Sequence, residues 1–340
     1  MTTGGEVRSM IQKIIQKSLQ DEELTENEIK HLFKVPVFSK DAAVLLWAAR
    51  EKSSDTSNGF AEIHAQIGLN ISPCPHNCRF CSFAAENKIF RDSFELSAEE
   101  AIGQARQFEA DKANALYLMV TGDYPFEKFI EISKEIRMAL QRDTVLIANI
   151  GDFSEAQAEE LKHVGFTGIY HAVRLNEGKD TRIPVEKRLE TIRHAQQAGL
   201  LIGTCLEPVG NEHSIDELVQ KTIITRDVQP VYSGAARRIP IPNSSLAQYG
   251  IVTEAKMALI LAVVRLALGK NIPGNCTHEP NVVGAYAGAN LLWSEVGSNP
   301  RDTITQTERK RGMSVNECAD IFHEAHWTVL QGPSRFYSQQ

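Results

Sequence analysis

The sequence predicts an α/β protein, a (β/α)8 TIM-type barrel preceded by a helical N-terminal extension. Between residues 61 and 332, eight short apolar runs alternate with longer helical patterns, as in a βα-repeat fold. Most of these runs are too uniformly apolar to be half-exposed, which is typical of a parallel sheet covered by helices. Residues 1–59 contain helical patterns instead. A doubly wound open sheet would give the same alternation and is the alternative.

The helical extension is predicted to occupy residues 1–59, and the barrel with its C-terminal helix residues 60–340. The polar run Ser53-Ser-Asp-Thr-Ser-Asn-Gly59 is predicted to be a turn-rich connector that ends the extension. The helices predicted for the extension cover residues 5–19, 25–33 and 39–52. The eight predicted strands are 61–71, 115–120, 144–150, 168–174, 200–207, 230–239, 271–276 and 289–296.

The helices between these strands have recognisable start and stop signals. Ser97, Ser214 and Ser314 are each followed three residues later by Glu, which is the pattern of a capping box. Pro184 is predicted to open the helix 185–198 and Gly199 to end it. A long apolar helix is predicted over residues 253–269.

Composition and charge exclude several classes of function. The 340 residues carry a net charge of −7 without a basic stretch, so nucleic acid is not an expected partner. No apolar run approaches the roughly 20 residues that a membrane span needs. The polar N-terminus lacks the apolar core of a signal peptide. We therefore expect a cytoplasmic protein without a membrane partner, in which the six cysteines stay reduced.

Three cysteines, Cys74, Cys78 and Cys81, stand at CxxxCxxC spacing and say most about function. Three thiolates can hold three corners of a 4Fe–4S cluster, and without a fourth cysteine nearby one iron would lack a protein ligand. Such an open position is where small molecules bind and react at catalytic metal centres. A zinc site with His76 as fourth ligand and a disulfide are the alternatives. Structural zinc usually uses separated CxxC pairs, however, and disulfides are typical of secreted proteins.

This motif resembles that of the radical S-adenosylmethionine (SAM) superfamily, including the aromatic Phe80 before the last cysteine. The whole chain resembles the biotin synthase-like branch, which contains biotin synthase, an [FeFe]-hydrogenase maturase and methylornithine synthase. The resemblance implies a 4Fe–4S cluster whose open iron binds SAM, with Phe80 against the adenine. The cluster would pass one electron to the sulfonium and release a 5′-deoxyadenosyl radical. Reduced flavodoxin or ferredoxin is the implied electron donor.

The same resemblance implies a set of SAM contacts. Gly122 and Asp123, after the second predicted strand, match the family segment that binds the SAM amino group, and a carboxylate suits an ammonium. A cap of the following helix is the alternative role for Asp123. Arg174 and Asn176, after the fourth strand, match the polar pair near the ribose and carboxylate. Arg188 matches the arginine that pairs with the SAM carboxylate.

Substrate contacts are expected at the same ends of the strands. Arg237 and Arg238 are consecutive on the sixth predicted strand, so one side chain should point into the barrel. An internal ion pair is the alternative for the inward arginine. Arg237, Tyr232 and His278 are the candidate substrate contacts. The wider set of candidate lining residues is Tyr117, Asn149, His171, Tyr232, Arg237, His278 and Glu279.

Sulfur insertion is the less favoured reaction. Biotin synthase holds a second, sulfur-donating cluster with three barrel cysteines and an arginine, whereas here Cys205 and Cys276 stand on predicted strands and Thr121 and Asn149 occupy the other expected positions. Cys205 and Cys276 are expected to be small buried side chains. The resemblance therefore implies a radical SAM enzyme that abstracts hydrogen from a small amino-acid-like or cofactor-precursor substrate, in a rearrangement, fragmentation or bond formation. Biotin synthase-type sulfur insertion and a non-catalytic metal or iron–sulfur carrier are the alternatives.

Overall fold

The computed structural model describes residues 4–338 and contains a closed barrel of eight parallel strands. The strands are β1 (Phe60–Gly68), β2 (Ala115–Met119), β3 (Leu146–Asn149), β4 (Gly168–Tyr170), β5 (Leu201–Gly203 and Leu206–Val209), β6 (Tyr232–Arg237), β7 (Gly274–Thr277) and β8 (Leu291–Gly297). Each pairs with its neighbour, and β8 pairs with β1 from Glu62 opposite Leu291 onward. This closure confirms the predicted (β/α)8 barrel and excludes the open sheet.

In residues 4–338, three α-helices precede the barrel and eight follow its first strand. The first three are α1 (Gly4–Leu19), α2 (Glu26–Phe33) and α3 (Lys40–Thr56). The others are α4 (Ala98–Ala110), α5 (Phe126–Ala139), α6 (Glu155–Val164), α7 (Val185–Gln197), α8 (Ile215–Asp227), α9 (Glu254–Ala267), α10 (Val282–Tyr286) and α11 (Val315–Glu324). Among the helices of residues 4–338, none has both the length and the apolar character that crossing a bilayer requires.

Helix boundaries follow the capping signals in the sequence. The predicted capping boxes at Ser97, Ser214 and Ser314 are all formed, each side chain accepting from the backbone N–H three residues later. Two boxes that were not predicted, at Thr25 and Ser154, start α2 and α6 in the same way. An N-cap of this kind stabilises a helix by about 1 kcal/mol.

The polar run 53–59 corrects one expectation, because its first half is helical. α3 continues to Thr56 instead of ending before Ser53. The Ser53 hydroxyl donates to the carbonyl of Gly288 at 2.6 Å, and the Thr56 hydroxyl donates to the carbonyl of Lys52 at 2.9 Å. The polar side chains thus find partners within the fold, and tertiary contact overrides their low helix propensity.

The first three helices share a hydrophobic core with α9. Helix α9 is apolar except for Arg265 from Met257 to Ala267, and because every residue of this stretch is buried, the helix must be covered on all sides. Part of that cover comes from buried side chains of the N-terminal helices, including Ile11, Ile14, Ile15, Ile29, Leu32 and Leu45.

The N-terminal end of the barrel is closed by the segment 334–338. The side chains of Phe336 and Tyr337 pack inside the barrel with Tyr117, Tyr232 and Trp293. The buried Glu62 carboxylate accepts the backbone N–H groups of Arg335 and Phe336, at 2.8 and 3.2 Å. An aromatic layer therefore separates this end of the barrel from the opposite one.

Candidate functional site

A cavity of about 1210 Å³, counting the part that opens to solvent, lies at the C-terminal ends of the barrel strands. This is the end at which TIM-barrel enzymes carry their active sites. All eight strands or the loops that follow them contribute to its walls, and so does the loop that carries the three spaced cysteines. The main polar lining residues are Gln66, His76, Thr121, Asn149, His171, Arg174, Arg188, Glu207, Arg238, His278, Glu295, Asn299 and Arg301.

Cys74, Cys78 and Cys81 all line this cavity. Their loop is closed by backbone hydrogen bonds from Cys74 N to Phe83 O, at 2.8 Å, and from Cys81 N to Cys78 O, at 2.9 Å. It is also anchored to other parts of the barrel mouth. Arg79 N donates to Asp180 O beyond β4, and Ser82 N donates to Pro300 O beyond β8, both at 2.8 Å. The thiols are thus held by the barrel on two sides.

The three thiols lie in an environment that disfavours free thiolates. Burial raises the pKa of Cys78 to about 11, although the guanidinium groups of Arg188 and Arg174 oppose the shift. Burial also raises the pKa values of Cys74 and Cys81. A metal that binds these sulfurs would displace their protons, since a metal ligates the thiolate form.

The spacing of these cysteines suits a polynuclear group better than a single zinc ion. Two thiolates on one tetrahedral zinc stand about 3.8 Å apart, from bonds of about 2.3 Å. Among residues 4–338, the one group of three His, Cys, Asp or Glu ligand atoms within 4.8 Å of one another is Cys205, Cys276 and His278. The loop cysteines and His76 form no such compact group. Three thiols on one cavity wall fit a 4Fe–4S cluster with an open iron.

Two arginines predicted to contact SAM line the same cavity. Arg174 lies beside the carboxylate of Glu207, with 3.3 Å between Nη1 and Oε1. Arg188 lies between two carboxylates, with Nη1 at 3.2 Å from Asp152 Oδ2 and Nε at 3.4 Å from Glu177 Oε2. Arg188 is therefore a buried side chain that is paired with two carboxylates.

Asp152 organises the wall around Arg188. Its carboxylate also contacts His171 Nε2 and accepts from the Thr191 hydroxyl, both at 3.0 Å. Burial lowers the pKa of His171 to about 4, and the Arg188 charge adds to this, although Asp152 opposes it. The imidazole is therefore neutral near pH 7. The sequence prediction included His171 as a lining residue but missed Asp152, which follows β3 in Gly151-Asp152.

The other predicted SAM contacts divide into two groups. Phe80 and Gly122 line the cavity, whereas Asp123 and Asn176 do not. The cap expected as the alternative for Asp123 is absent, because Pro125 occupies the N-cap position of α5 and no side chain caps that end. The Asp123 carboxylate lies beside Cys74 and accepts from the Ser72 hydroxyl at 3.4 Å. Asn176 has a left-handed φ of 55°, and its carbonyl closes the turn before Asp180.

Two of the three predicted substrate contacts lie away from the cavity. Arg237 forms an ion pair with Glu279 and donates to Val252 O at 3.0 Å, so Arg238 is the arginine of this pair that lines the cavity. Tyr232 lies in the aromatic layer below. The alternation of side chains along β6 explains the correction for Arg237, and the depth of Tyr232 in the barrel explains the other. Among the wider candidates, Tyr117 and Glu279 also lie outside the lining, whereas Asn149 is part of it.

His278 does line the cavity, and its ring is held in place by its neighbours. It stacks on Trp293 with 4.8 Å between ring centroids and an interplanar angle of 8°. Its Nε2 lies 3.4 Å from the Tyr170 hydroxyl and 4.0 Å from Glu207 Oε2. The Tyr170 hydroxyl donates in turn to Glu207 Oε1 at 2.6 Å.

The sequence prediction missed further charged lining residues. Glu295 on β8 is buried and pairs with Arg301 at 3.2 Å and with Arg311 at 2.8 Å. Arg301 lines the cavity and also donates to the carbonyl of His278 at 3.3 Å. A charged residue inside or just after an apolar run is the signal that could have identified Glu295. It indicates a polar side chain at the carboxyl end of a strand.

Cys205 and Cys276 meet inside the barrel, below the cavity. Their sulfur atoms lie 2.6 Å apart, and both residues are fully buried. Burial opposes ionisation of Cys276, but hydrogen bonds from Cys205 and His278 and the charge of His278 outweigh it and lower the pKa of Cys276. The pKa of Cys205 is raised by burial and by its partner.

Known proteins resemble this chain in sequence and in fold. Residues 72–222, which include the spaced cysteines, match the model of the Radical SAM superfamily. A biotin synthase from Clostridium tetani is 26% identical over 205 residues, which are 58% of this chain and 62% of that protein. The alignment thus spans less than two thirds of that relative.

Two solved structures share the fold over almost the whole chain. Methylornithine synthase superposes with a TM-score of 0.77 at 16% identity, covering 95% of this chain and 98% of that one. The FeFe-hydrogenase maturase HydG from Carboxydothermus hydrogenoformans has a TM-score of 0.77 at 20% identity, covering 99% and 87%. The comparisons thus show a radical SAM domain over residues 72–222, sequence similarity to biotin synthase, and a fold shared with methylornithine synthase and HydG.

Proposed function

We propose that Cys74, Cys78 and Cys81 hold a 4Fe–4S cluster that leaves one iron open for SAM. The radical SAM domain that residues 72–222 match implies both cofactors. When bound, the cluster supplies one electron that cleaves a carbon–sulfur bond of SAM and releases a 5′-deoxyadenosyl radical. The observation that carries the proposal is the location of three cysteines, without a fourth, on the wall of the cavity at the C-terminal end of the barrel.

The residues around the cysteine loop can bind the polar groups of SAM. Arg188 is held by Asp152 and Glu177 and can orient a carboxylate with its planar guanidinium group. Gly122 leaves the approach open, because a Cβ there would lie 3.0 Å from the His76 ring. Asp123, beside Cys74, offers a carboxylate to the ammonium. Phe80 offers an apolar face to the adenine, and Arg174 a cation near the ribose.

The rest of the cavity suits a small zwitterionic molecule. Arg238 and Arg301 offer guanidinium groups, while Glu207 and Glu295 offer carboxylates. Each of these charges already has an opposite partner within the protein, so a substrate with both an amino and a carboxylate group would preserve the balance. We therefore propose an amino-acid-like or cofactor-precursor substrate, from which hydrogen is abstracted. The enclosing barrel walls would keep a reactive carbon radical away from water.

The test is the release of 5′-deoxyadenosine. The protein would be reconstituted anaerobically with iron and sulfide, then given dithionite and SAM, and the product quantified by mass spectrometry. We expect wild-type protein and Cys318→Ser to release 5′-deoxyadenosine, because Cys318 is a buried cysteine of α11 outside the cavity. Cys78→Ala should fall to the background of the protein-free reaction.

Two outcomes would contradict the proposal. If Cys78→Ala released as much product as the wild type, the cysteine loop would not be the reactive site. If the protein bound metal but did not cleave SAM, it would be a carrier. Sulfur insertion would require about two clusters per chain and the loss of one during turnover.

A further inference from the structure

We propose that Cys205, Cys276 and His278 form a second metal site, for a single soft divalent ion such as zinc, below the floor of the cavity. This site is separate from the cysteine loop and requires neither sulfide nor SAM. It therefore goes beyond the proposed function, and its test does not depend on that function.

The three side chains are brought together by the barrel itself. Their ligand atoms all lie within 4.8 Å of one another, and all three residues are buried. Cys205 lies in the break between the two segments of β5, and Cys276 lies on β7. The strand between them is β6, where Gly234 pairs with Cys276. The two sulfurs approach to 2.6 Å.

A metal ion between the two cysteines would have to spread their sulfur atoms. The sulfurs stand 2.6 Å apart, whereas two thiolates on one tetrahedral zinc stand about 3.8 Å apart and the sulfurs of a disulfide about 2.05 Å apart. Metal binding therefore requires the two side chains to separate by about 1.2 Å, and a disulfide is the competing state that reducing conditions exclude.

His278 has the surroundings of a metal-binding imidazole. Its Nε2 faces the Tyr170 hydroxyl and Glu207, so Nδ1 remains as the ligand atom. Metal-binding histidines commonly direct their second nitrogen to a carboxylate or hydroxyl, which fixes the tautomer and the ring. Stacking on Trp293 holds the same ring from its face. Two thiolates and an imidazole prefer zinc or a similar ion over the hard ions magnesium and calcium.

The site would keep one coordination position open. Within the part of the chain that the structure describes, the compact ligand group has three members, and tetrahedral zinc takes four. His278 lines the cavity, so a ligand entering from the cavity is within reach of the ion. The fourth ligand would be water or a sulfur or nitrogen atom of the substrate. Metal binding would release the thiol protons of the pair.

The experiment uses Co²⁺ as a spectroscopic probe in the full-length chain. Cys74, Cys78 and Cys81 are first replaced by Ala, so that the loop cannot bind the probe. Under anaerobic, reducing conditions we expect one equivalent of Co²⁺ with the visible bands of a tetrahedral site and sulfur-to-cobalt charge-transfer bands. Zn²⁺ should displace it. Adding Cys205→Ser or Cys276→Ser should weaken binding about 100-fold or more and remove these bands, whereas adding Cys318→Ser should change neither.

A second measurement covers the case in which the triple variant does not fold. Wild-type protein with its cluster reconstituted should contain one zinc per chain in addition to its iron, and Cys276→Ser should contain none. Zinc X-ray absorption should show two sulfur neighbours at about 2.3 Å and a nitrogen neighbour at about 2.0 Å. The proposal is overturned if Cys205→Ser and Cys276→Ser bind metal like the wild type. It is also overturned if the pair is found as a disulfide or as ligands of an iron–sulfur cluster.

Discussion

Lys52 shows what one buried charge costs this fold. Its ammonium lies between α1, α3 and α9 and donates to the carbonyl and the hydroxyl of Ser18, at 3.1 and 3.0 Å. The Leu266 carbonyl is a third acceptor at 3.5 Å. Burial lowers the pKa of Lys52 to about 7, and the nearby Arg265 charge adds to this shift. The protonated side chain is satisfied by hydrogen bonds but is not compensated by a carboxylate at contact distance.

This shift predicts how stability changes with pH. Between the folded pKa of about 7 and the unfolded value of about 10.5, the unfolded chain binds more protons, so the Lys52 contribution to unfolding free energy rises with pH. Lys52→Met should remove that contribution, and the wild type should gain stability relative to the variant between about pH 7 and pH 10. Urea unfolding of the wild type and of Lys52→Met at about pH 7 and pH 10 measures this difference in unfolding free energy. Lys13→Met, at an exposed position of α1, is the control, and a parallel pH profile for Lys52→Met would disprove the prediction.

At the residue scale, the sequence predicts which residues have a chemical role better than it predicts where their side chains point. The three spaced cysteines are recognisable because their function depends on local spacing. The choice between Arg237 and Arg238 depends on which face of β6 points inward, and the contact between Cys205 and Cys276 depends on strands that are about 70 residues apart in the chain. Such facts follow from barrel register, which local patterns do not contain.

Gly234 is the element-scale feature on which the wall between β5 and β7 depends. Its φ of 141° lies in a region that side chains rarely adopt, and a Cβ there would lie 2.0 Å from the carbonyl oxygen of Cys276. The clash is with backbone, so a rotamer change cannot relieve it. Gly103, exposed on α4, has nothing within 4 Å of an added Cβ.

We expect opposite results from the same substitution at these two positions. Gly234→Ala should lower the unfolding free energy by more than about 3 kcal/mol, through overpacking and backbone strain. Gly103→Ala should raise it by about 0.5–1 kcal/mol, since alanine favours a helix interior. Denaturant unfolding of both variants tests the pair. Similar small effects at both positions would show that the barrel wall yields more easily than its geometry indicates.

The elements themselves could largely be predicted from local signals. Capping boxes and the Pro184–Gly199 pair mark helix ends because the bonds they make are within a few residues. The prediction that residues 53–59 form a connector was wrong at its start, because Ser53 donates to Gly288, which is distant in sequence. The interruption of β5 at Cys205 could not be expected either, because it reflects pairing with β6 and not composition.

At the scale of the whole molecule, the N-terminal helices share one of the hydrophobic clusters with α9 and one side of the barrel. Buried side chains of α1, α2 and α3 pack in the same cluster as α9. Removing the first 59 residues would expose the side of α9 that they cover. The sequence boundary between an extension and a barrel therefore does not separate two independent cores.

We expect a fragment of residues 60–340 to lack cooperative folding. Loss of the N-terminal cover exposes several large apolar side chains, each worth about 1.5–3 kcal/mol when buried, and together these exceed a typical margin of stability. Full-length protein should unfold in one urea transition, whereas the fragment should bind a hydrophobic dye and unfold without a clear transition. A fragment that unfolded as sharply as the full chain would establish the boundary near residue 60 as a true domain border.

The aromatic layer at the segment 334–338 limits how molecules can enter and leave the barrel cavity. The layer closes the barrel at its N-terminal end, so the cavity opens to solvent at the C-terminal end and does not run through the barrel. Within residues 4–338, a molecule that enters the cavity from the C-terminal end of the barrel passes the rim that carries the cysteine loop. A product would therefore have to leave through this opening before the next substrate could enter.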